Sequence, residues 1–203
     1  MSHSKKRILF LTLRLFSATG GIERICRILG KALYELTADQ GEKFVVLSMY
    51  DYACVPYSNP YFQNAEFKGY SKNKIKFFFA SIGRGLKSDV LVLSHVNLAI
   101  IGWVVKFLFP RKKIILIAHG IEVWENNSFI QNIFLRSVDK IIAVSHFTKE
   151  KIINRKIVDE HKVIIINNCI DPFFSKEDVM LYVDELRKKY GIATGKSVIL
   201  TLS

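Results

Sequence analysis

The sequence predicts an α/β domain built around a doubly wound, mainly parallel sheet. Short runs dense in Val, Ile and Leu alternate along the chain with segments of helical period. The runs are apolar at nearly every position, as strands are when both of their faces are covered. Length adds a third constraint: 203 residues, half of them hydrophobic, suffice for one well-buried domain and a little more, but not for two. Such alternation lays helices on both faces of a parallel sheet through right-handed crossovers.

The first strand is expected at residues 8–13. The basic stretch ahead of it is similar to the start of a signal peptide, but Arg14 interrupts the apolar run and no small-residue cleavage site follows. A helix over 22–38 then carries Ile22, Ile25, Ile28, Leu29, Leu33 and Leu36 on one stripe. Further strands are expected at 44–48, 89–94, 113–118, 140–145 and 163–167, with a weaker one at 66–69. Helices are expected at 74–86, 98–108, 129–138, 147–154 and 178–190. The apolar run 96–109 is shorter than the roughly 20 residues that span a bilayer, which leaves a core helix or one that dips into a surface.

Charge is unevenly placed. The chain carries +12 overall, and between Glu66 and Glu122 a single acid, Asp89, faces ten bases. That segment points to an anionic partner, with a generic solubilising face as the alternative. On a projection of residues 74–87, Ile75, Phe78, Phe79, Ile82 and Leu86 gather on one side. Lys74 opens this helix, and Lys76, Arg84 and Lys87 lie opposite the apolar side beside an off-pattern Phe77. An exposed Phe77 among cations, with Trp103 in the next helix, suits an anionic membrane surface; an ordinary amphipathic helix, weakened by Gly83 and Gly85, is the other reading. Nucleic acid is disfavoured because the aromatics sit on apolar stripes instead of interleaving with the bases on an open sheet. Cys26, Cys54 and Cys169 are too far apart for a zinc or disulfide framework, which implies a reducing, cytoplasmic compartment.

Two glycine-rich segments invite a phosphate reading. At the C-terminal end, only Ile192, Ala193 and Thr194 separate Gly191 from Gly195, one residue fewer than a P-loop needs, and a strand-like run follows. Gly191 reads better as a helix cap. Gly20-Gly21 joins the first strand directly to the first helix, where free amides favour an anion. It is not GxGxxG, so a nicotinamide or flavin fingerprint is missing, and a tight turn is the alternative. Polar residues also close the strands: His95, then His119-Gly120-Ile121-Glu122, then Ser145-His146, then Asn167-Asn168. Open α/β sheets bind ligands at that edge, so these residues would face the Gly20-Gly21 loop, although Ser145 also suits a helix cap.

Taken in order, these pieces resemble glycosyltransferase family 4, retaining enzymes built from two facing Rossmann-like domains, the GT-B architecture. The matching segments are Gly20-Gly21-Ile22-Glu23 after a strand, His119-Gly120, and Ala143-Val144-Ser145 with Thr148-Lys149. Asn167-Asn168-Cys169-Ile170-Asp171 is similar to the family's Asn-Gly-hydrophobic-Asp segment, with Asn168-Cys169 in place of Asn-Gly. The helix ending at Gly191 and the run after it look like the family's passage into a second domain. The resemblance therefore implies an N-terminal, acceptor-side domain over 1–172, then a linker helix and the first strand of a missing C-terminal, donor-binding domain over 173–203.

The resemblance also implies the chemistry. A sugar would move from a nucleotide-sugar to a glycan or lipid-linked acceptor in cell-surface polysaccharide synthesis, such as lipopolysaccharide or capsule, with retention and without a metal or other cofactor. The enzyme would be of hexosyltransferase type, and the 203-residue chain alone inactive. Gly20 and Gly21 would touch the donor phosphates or sugar, and His119, the catalytic candidate, would hydrogen-bond the transferred sugar. Glu23, His95, Glu122, Ser145 and Asn168 would shape the cleft and its acceptor side. A peripheral position on the inner face of a membrane would follow from the basic segment. Two readings compete: a non-enzymatic basic module for anionic lipid or polymer, and a dehydrogenase in which Asp51 ends the second strand.

Overall fold

The computed structural model describes residues 5–53, 59–124, 128–174, 183–193 and 195–199. Cys54, residues 178–182 of the expected last helix and residues 200–202 of the expected last strand lie outside these. The described residues separate into two units, Met1–Cys169 and Ile170–Ser203.

In the first unit, β1 (Arg7–Thr12), β2 (Lys43–Ser48), β3 (Glu66–Gly69), β4 (Val90–Leu93), β5 (Lys113–Ala118), β6 (Lys140–Ala143) and β7 (Val163–Ile165) form one sheet in the order β3-β2-β1-β4-β5-β6-β7. Every neighbouring pair is parallel. Register aligns the apolar residues: Leu9 stands beside Val45 and Leu91, and Leu91 beside Ile114. Because side chains alternate across a strand, Leu9, Leu11, Leu91, Leu93, Ile114 and Leu116 fill one face while Phe10, Phe44, Val46 and Val92 fill the other.

Helix α1 (Gly21–Asp39) covers the Phe10 face through Cys26, Leu29 and Leu33. The Leu9 face is covered by α2 (Lys74–Leu86), α3 (Ala99–Leu108), α5 (Phe129–Ser137) and α6 (His146–Asn154), and the short α4 (Ile121–Trp124) follows β5. Side chains start three of these helices. Asn73 accepts from the Lys76 amide, Ser145 from the Thr148 amide, and Ser128 forms a reciprocal box with Gln131.

Two helices depart from the faces their sequences suggest, α1 only at the ends of its stripe and α2 along its length. In α1, Ile28, Leu29 and Leu33 of the expected stripe pack inward with Cys26, Gly30 and Thr37, while Ile22 and Leu36 at its two ends are exposed. In α2, Phe77 is 1% exposed, whereas Ile75 and Phe79 are 72% and 67% exposed. Phe77 is therefore a core residue that meets Tyr70 edge-on, not a membrane-facing one. The inward stripe Phe77, Ser81 and Gly85 recurs every fourth residue, and two of its members are small. They let α3 come so close that a Cβ on Gly85 would lie 2.9 Å from Val105 Cγ2. Counting large apolar side chains favours the opposite face because Ser and Gly add nothing to the count. α3 divides similarly: Ile101, Gly102 and Val105 are buried, and Phe107 and Leu108 are exposed.

In the second unit, α7 (Val183–Lys189) ends as its glycine predicts. Gly191 takes φ +64°. Its amide donates to Lys188 O at 3.4 Å and the Ile192 amide to Arg187 O at 2.9 Å, the paired bonds of a left-handed helix cap. The strand expected after Gly195 does not form over its described residues, Val198 and Ile199, which are 57% and 95% exposed.

Candidate active site

Sheet order reverses at β1, with β2 on one side and β4 on the other. Connections leave such a point in opposite directions and open a crevice at the carboxyl ends of the strands. A hollow of about 190 Å³ occupies it, lined by Thr12, Leu13 and Arg14 after β1, by Ile22, Glu23 and Cys26 of α1, and by Tyr50, Ser94 and His95.

His119 is held beside this hollow from three directions. Its amide donates to Glu122 Oε1 at 2.6 Å, its Nε2 lies 3.0 Å from Ser94 O, and Cys26 Sγ is 3.7 Å from the same nitrogen. A carbonyl only accepts, so Nε2 carries the hydrogen and Nδ1 is left as the acceptor. Burial lowers the His119 pKa, more than the Glu122 carboxylate raises it. His95 is lowered for the same reason, burial first, against Glu122 and Glu23. Its Nδ1 accepts from the Asn97 amide at 3.1 Å, which caps the turn after β4. Burial thus favours the neutral form of both rings. Burial also pushes the Cys26 thiol up to about 12, so it serves as packing and not as a nucleophile.

Gly120 explains how His119 and Glu122 meet. Its φ of +156° lies in the region that favours glycine, and a Cβ there would stand 3.2 Å from the Trp124 ring. At the start of α1, Gly21 has open space where a Cβ would be, while the Glu23 carboxylate folds back over Gly20. Glu23 sits in the first turn, where the helix end favours negative charge.

A second and larger hollow, about 500 Å³, adjoins the first through shared Arg14 and Tyr50 and adds Ser17, Tyr52, Ser71 and Lys72. Asp51 builds its wall from beneath. It is 2% exposed and accepts from the amides of Leu15, Phe16 and Ser17 at 2.7, 3.1 and 2.6 Å and from Ser48 Oγ at 2.5 Å. A carboxylate so engaged has no capacity left for a nucleotide ribose, which removes the dehydrogenase reading of Asp51. Sequence marks Asp51 only as a ribose-binding candidate, and gives Arg14, Tyr50, Tyr52 and Lys72 no place in a site. The nearest signal is Gly69, which closes β3 and lies so near Tyr52 that a Cβ would fall 1.9 Å from its carbonyl oxygen.

The model of Glycosyltransferase Family 4 matches residues 19–173. The chain belongs to glycosyltransferase family 4. Among solved structures, it is similar to the Anabaena protein Alr3699/HepE in complex with UDP-glucose, with a TM-score of 0.66 and 15% identity over 93% of this chain and 50% of that one. The same protein with UDP and glucose gives a TM-score of 0.64. A glycosyltransferase from Rickettsia africae ESF-5 gives 0.58, at 14% identity over 95% of this chain and 51% of that one. The family 4 chain thus spans about half the length of these structures, and at such identity they establish the shared GT-B fold. No curated protein sequence matches it.

Within this family 4 domain, Glu23, His95, His119 and Glu122 come together, and Gly20 and Gly21 lie at the same helix start. Ser145 and Asn168 do not join them. Ser145 is occupied as the cap of α6. Asn168 lines a separate hollow of about 50 Å³ with Cys169 and the apolar residues Ile25, Ile142 and Ile166. The cations assigned to a membrane are also divided: Lys74 and Lys76 open α2, Lys87 closes it, and Arg84 is paired with Glu66. Trp103 is half-buried and stacks on Phe107 at 5.8 Å. Among the described residues, no helix is long and apolar enough to cross a membrane, and no three His, Cys, Asp or Glu side chains gather as metal ligands.

Proposed function

We propose that this chain is the acceptor-side domain of a retaining glycosyltransferase that moves a sugar from a nucleotide-sugar to a glycan or lipid-linked acceptor in cell-surface polysaccharide synthesis. The observation that carries this reading is the crevice at the sheet reversal of a family 4 domain, where His119, held by Ser94 O and Glu122, lies beside the hollow lined by Glu23 and His95. Its solved neighbour Alr3699/HepE holds UDP-glucose, which supports a nucleotide-sugar donor.

In this proposal, His119 Nδ1 accepts from a hydroxyl of the transferred sugar, and a neutral ring avoids adding positive charge beside an oxocarbenium-like carbon. The Gly20 and Gly21 segment meets the leaving diphosphate, which takes the place now held by the Glu23 carboxylate. His95 and Glu122 line the acceptor approach. A second domain supplies the remaining donor contacts, so the 203-residue chain is inactive alone. No metal or other cofactor is needed for these steps.

The test is a nucleotide-sugar turnover assay on the chain joined to that second domain. Turnover with the two domains and none with this one alone is expected; the absence of both turnover and thermal stabilisation by any common nucleotide-sugar would overturn the proposal.

Membrane contact at a cytoplasmic face belongs to the same proposal, and since Phe77 is buried it is assigned here to Ile75 and Phe79. These exposed side chains lie beside Lys74 and Lys76, on the half of α2 that follows Lys72 of the large hollow. Vesicles rich in anionic lipid should float the chain at low salt, and Ile75→Glu with Phe79→Glu should abolish flotation without unfolding it. A folded chain that stays at the bottom of the gradient removes the membrane from the proposal. A purely basic module for polyanions is weaker, because the basic segment is split between opposite edges of the sheet.

A further inference from the structure

We infer that the 500 Å³ hollow is an anion subsite for the acceptor: Arg14 and Lys72 hold a phosphate or carboxylate that the acceptor carries, and Tyr52 stacks against a sugar ring. The inference rests on the transferase reading and narrows it, since it makes the acceptor negatively charged.

Four observations point to this ligand. The hollow has the volume of a small-molecule site and is lined by two cations, two tyrosines and two serines, with no carboxylate among the described lining residues. Asp51 lies between Tyr50 and Tyr52 in sequence but turns inward to the amides of residues 15–17, and Glu23 lines the adjoining smaller hollow. Among the described lining residues, a polar ligand entering the hollow therefore meets cations and no carboxylate. Tyr52 is 78% exposed, an unusual state for an aromatic ring that lines a concave surface, and one that suits stacking on a sugar.

Second, the cations are presented by built structure instead of by free side chains. Arg14 lies 5.0 Å above the Tyr50 ring, which orients its guanidinium. Lys72 stands on a turn in which Ser71 and Lys72 have φ of +46° and +70°, a left-handed pair without glycine. Such backbone persists only where its surroundings hold it, and here the Ser71 amide donates to Asp51 O at 2.8 Å and the Lys72 amide to Met49 O at 3.0 Å.

Third, Gly69 allows the 51–52 backbone to cross β3 at a distance no other residue permits, which ties the Tyr52 loop to the Lys72 turn. Fourth, Arg14 and Tyr50 also line the smaller hollow that holds Glu23 and His95. A ligand anchored by its charge at Lys72 can thus extend a hydroxyl toward His119. The hollow lies on the β2 and β3 side of the reversal, and His119 lies on the β5 side, so donor and acceptor approach from opposite sides.

The experiment is an NMR titration of the 203-residue chain, ¹⁵N-labelled, at low salt with three probes: methyl β-glucuronide, an octyl-linked glucosyl phosphate, and neutral methyl β-glucoside. Saturable shifts at the Ser71 and Lys72 amides are expected with at least one anionic probe, about tenfold tighter than with the neutral one. Arg14→Gln with Lys72→Gln should lose about tenfold in affinity for that probe, while Lys87→Gln with Arg111→Gln leaves it unchanged. Whichever anion binds more tightly names the source, an acidic sugar or a phosphate-linked one. Equal binding of the neutral probe, an unaffected Arg14 and Lys72 variant with native amide dispersion, or the absence of saturation with both anions overturns the subsite. Binding is read without donor or turnover, so a failed transferase assay and a failed subsite remain distinct results.

Discussion

The two edges of the sheet carry hollows of similar size and opposite construction. At the carboxyl edge, about 500 Å³ is bounded by Arg14, Tyr50, Tyr52 and Lys72. At the amino edge, about 540 Å³ is bounded by Asp89, Leu108, Phe109, Pro110, Arg111 and Lys112. Cations at the amino edge are largely spent on the protein itself. Lys106 bonds Asp139 at 2.7 Å and Lys112 O at 2.9 Å, Lys113 stands 3.6 Å from Asp139, and Lys112 Nζ reaches Ser88 O. At the carboxyl edge the roles are exchanged: an acid, Asp51, is the internal tie, and the cations face outward. One run of basic residues supplies both edges because each strand-helix unit reverses the chain. A charge excess along the sequence is therefore not a patch until the reversals are known.

The largest effect should follow from removing the carboxyl-edge tie. Asp51→Ala strands three amides and a hydroxyl in a buried site, and a loss of about 3 kcal/mol in urea denaturation is expected, together with loss of anionic probe binding. A loss below about 1 kcal/mol would mean that the loop holds itself and that the edges do not differ in this way. Gly69→Ala comes next. The new methyl group meets backbone at Tyr52, which cannot rotate away, so about 2 kcal/mol is expected with a weakened subsite. A stability near wild type would show that the 51–52 crossing is not fixed.

Strands were legible because both of their faces are buried, which leaves nearly continuous Val, Ile and Leu. Helix faces were less so. Phe77 and Phe79 are two residues apart and chemically identical, and only the small Ser81 and Gly85 beneath Phe77 decide which is core. Of the site, His95, His119 and Glu122 could be marked because all three lie within four residues of a strand's end, the region a parallel sheet always brings to its carboxyl edge. Gly20 and Gly21 were legible for another reason, as a glycine pair opening the first helix. The larger hollow was not, because it requires β1, β2 and β3 to be known neighbours: Arg14 and Lys72 are far apart in sequence and meet only through that order. Asp51 was misleading, since an acid after the second strand has the same appearance whether it faces a ligand or three amides.

A smaller effect is expected from the amino-edge tie. Burial raises the Asp139 carboxyl, but the Lys106 and Ile114 N–H bonds and the charge of Lys113 outweigh it, so its pKa lies below the ordinary 3.8. A depressed acid stabilises the fold above its unfolded value, and that contribution fades as pH falls through the depressed one. Asp139→Asn should therefore cost about 1 kcal/mol at pH 7 and progressively less toward pH 3. Anionic probe affinity should stay unchanged, because the opposite edge is untouched. A parallel loss of affinity would mean that the two edges are coupled through the sheet.

The smallest effect tests the crevice between the two hollows of the carboxyl edge. His95 and His119 have pKa values lowered chiefly by burial, so the folded chain holds fewer protons than the unfolded chain just below the ordinary value of 6.5. Their neutral state stabilises the fold fully above that value, and the contribution is lost as pH falls from it toward the lowered ones. A decline under about 1 kcal/mol between pH 7.5 and about pH 5.5 is expected. His119→Gln retains a donor for Ser94 O but does not titrate, and should flatten that decline; His95→Asn retains an acceptor for the Asn97 amide and should flatten the rest. If neither substitution changes the slope, the rings charge as freely folded as unfolded. The crevice would then be open to water, and a neutral His119 could not be the acceptor that the transfer reading assigns to the sugar hydroxyl.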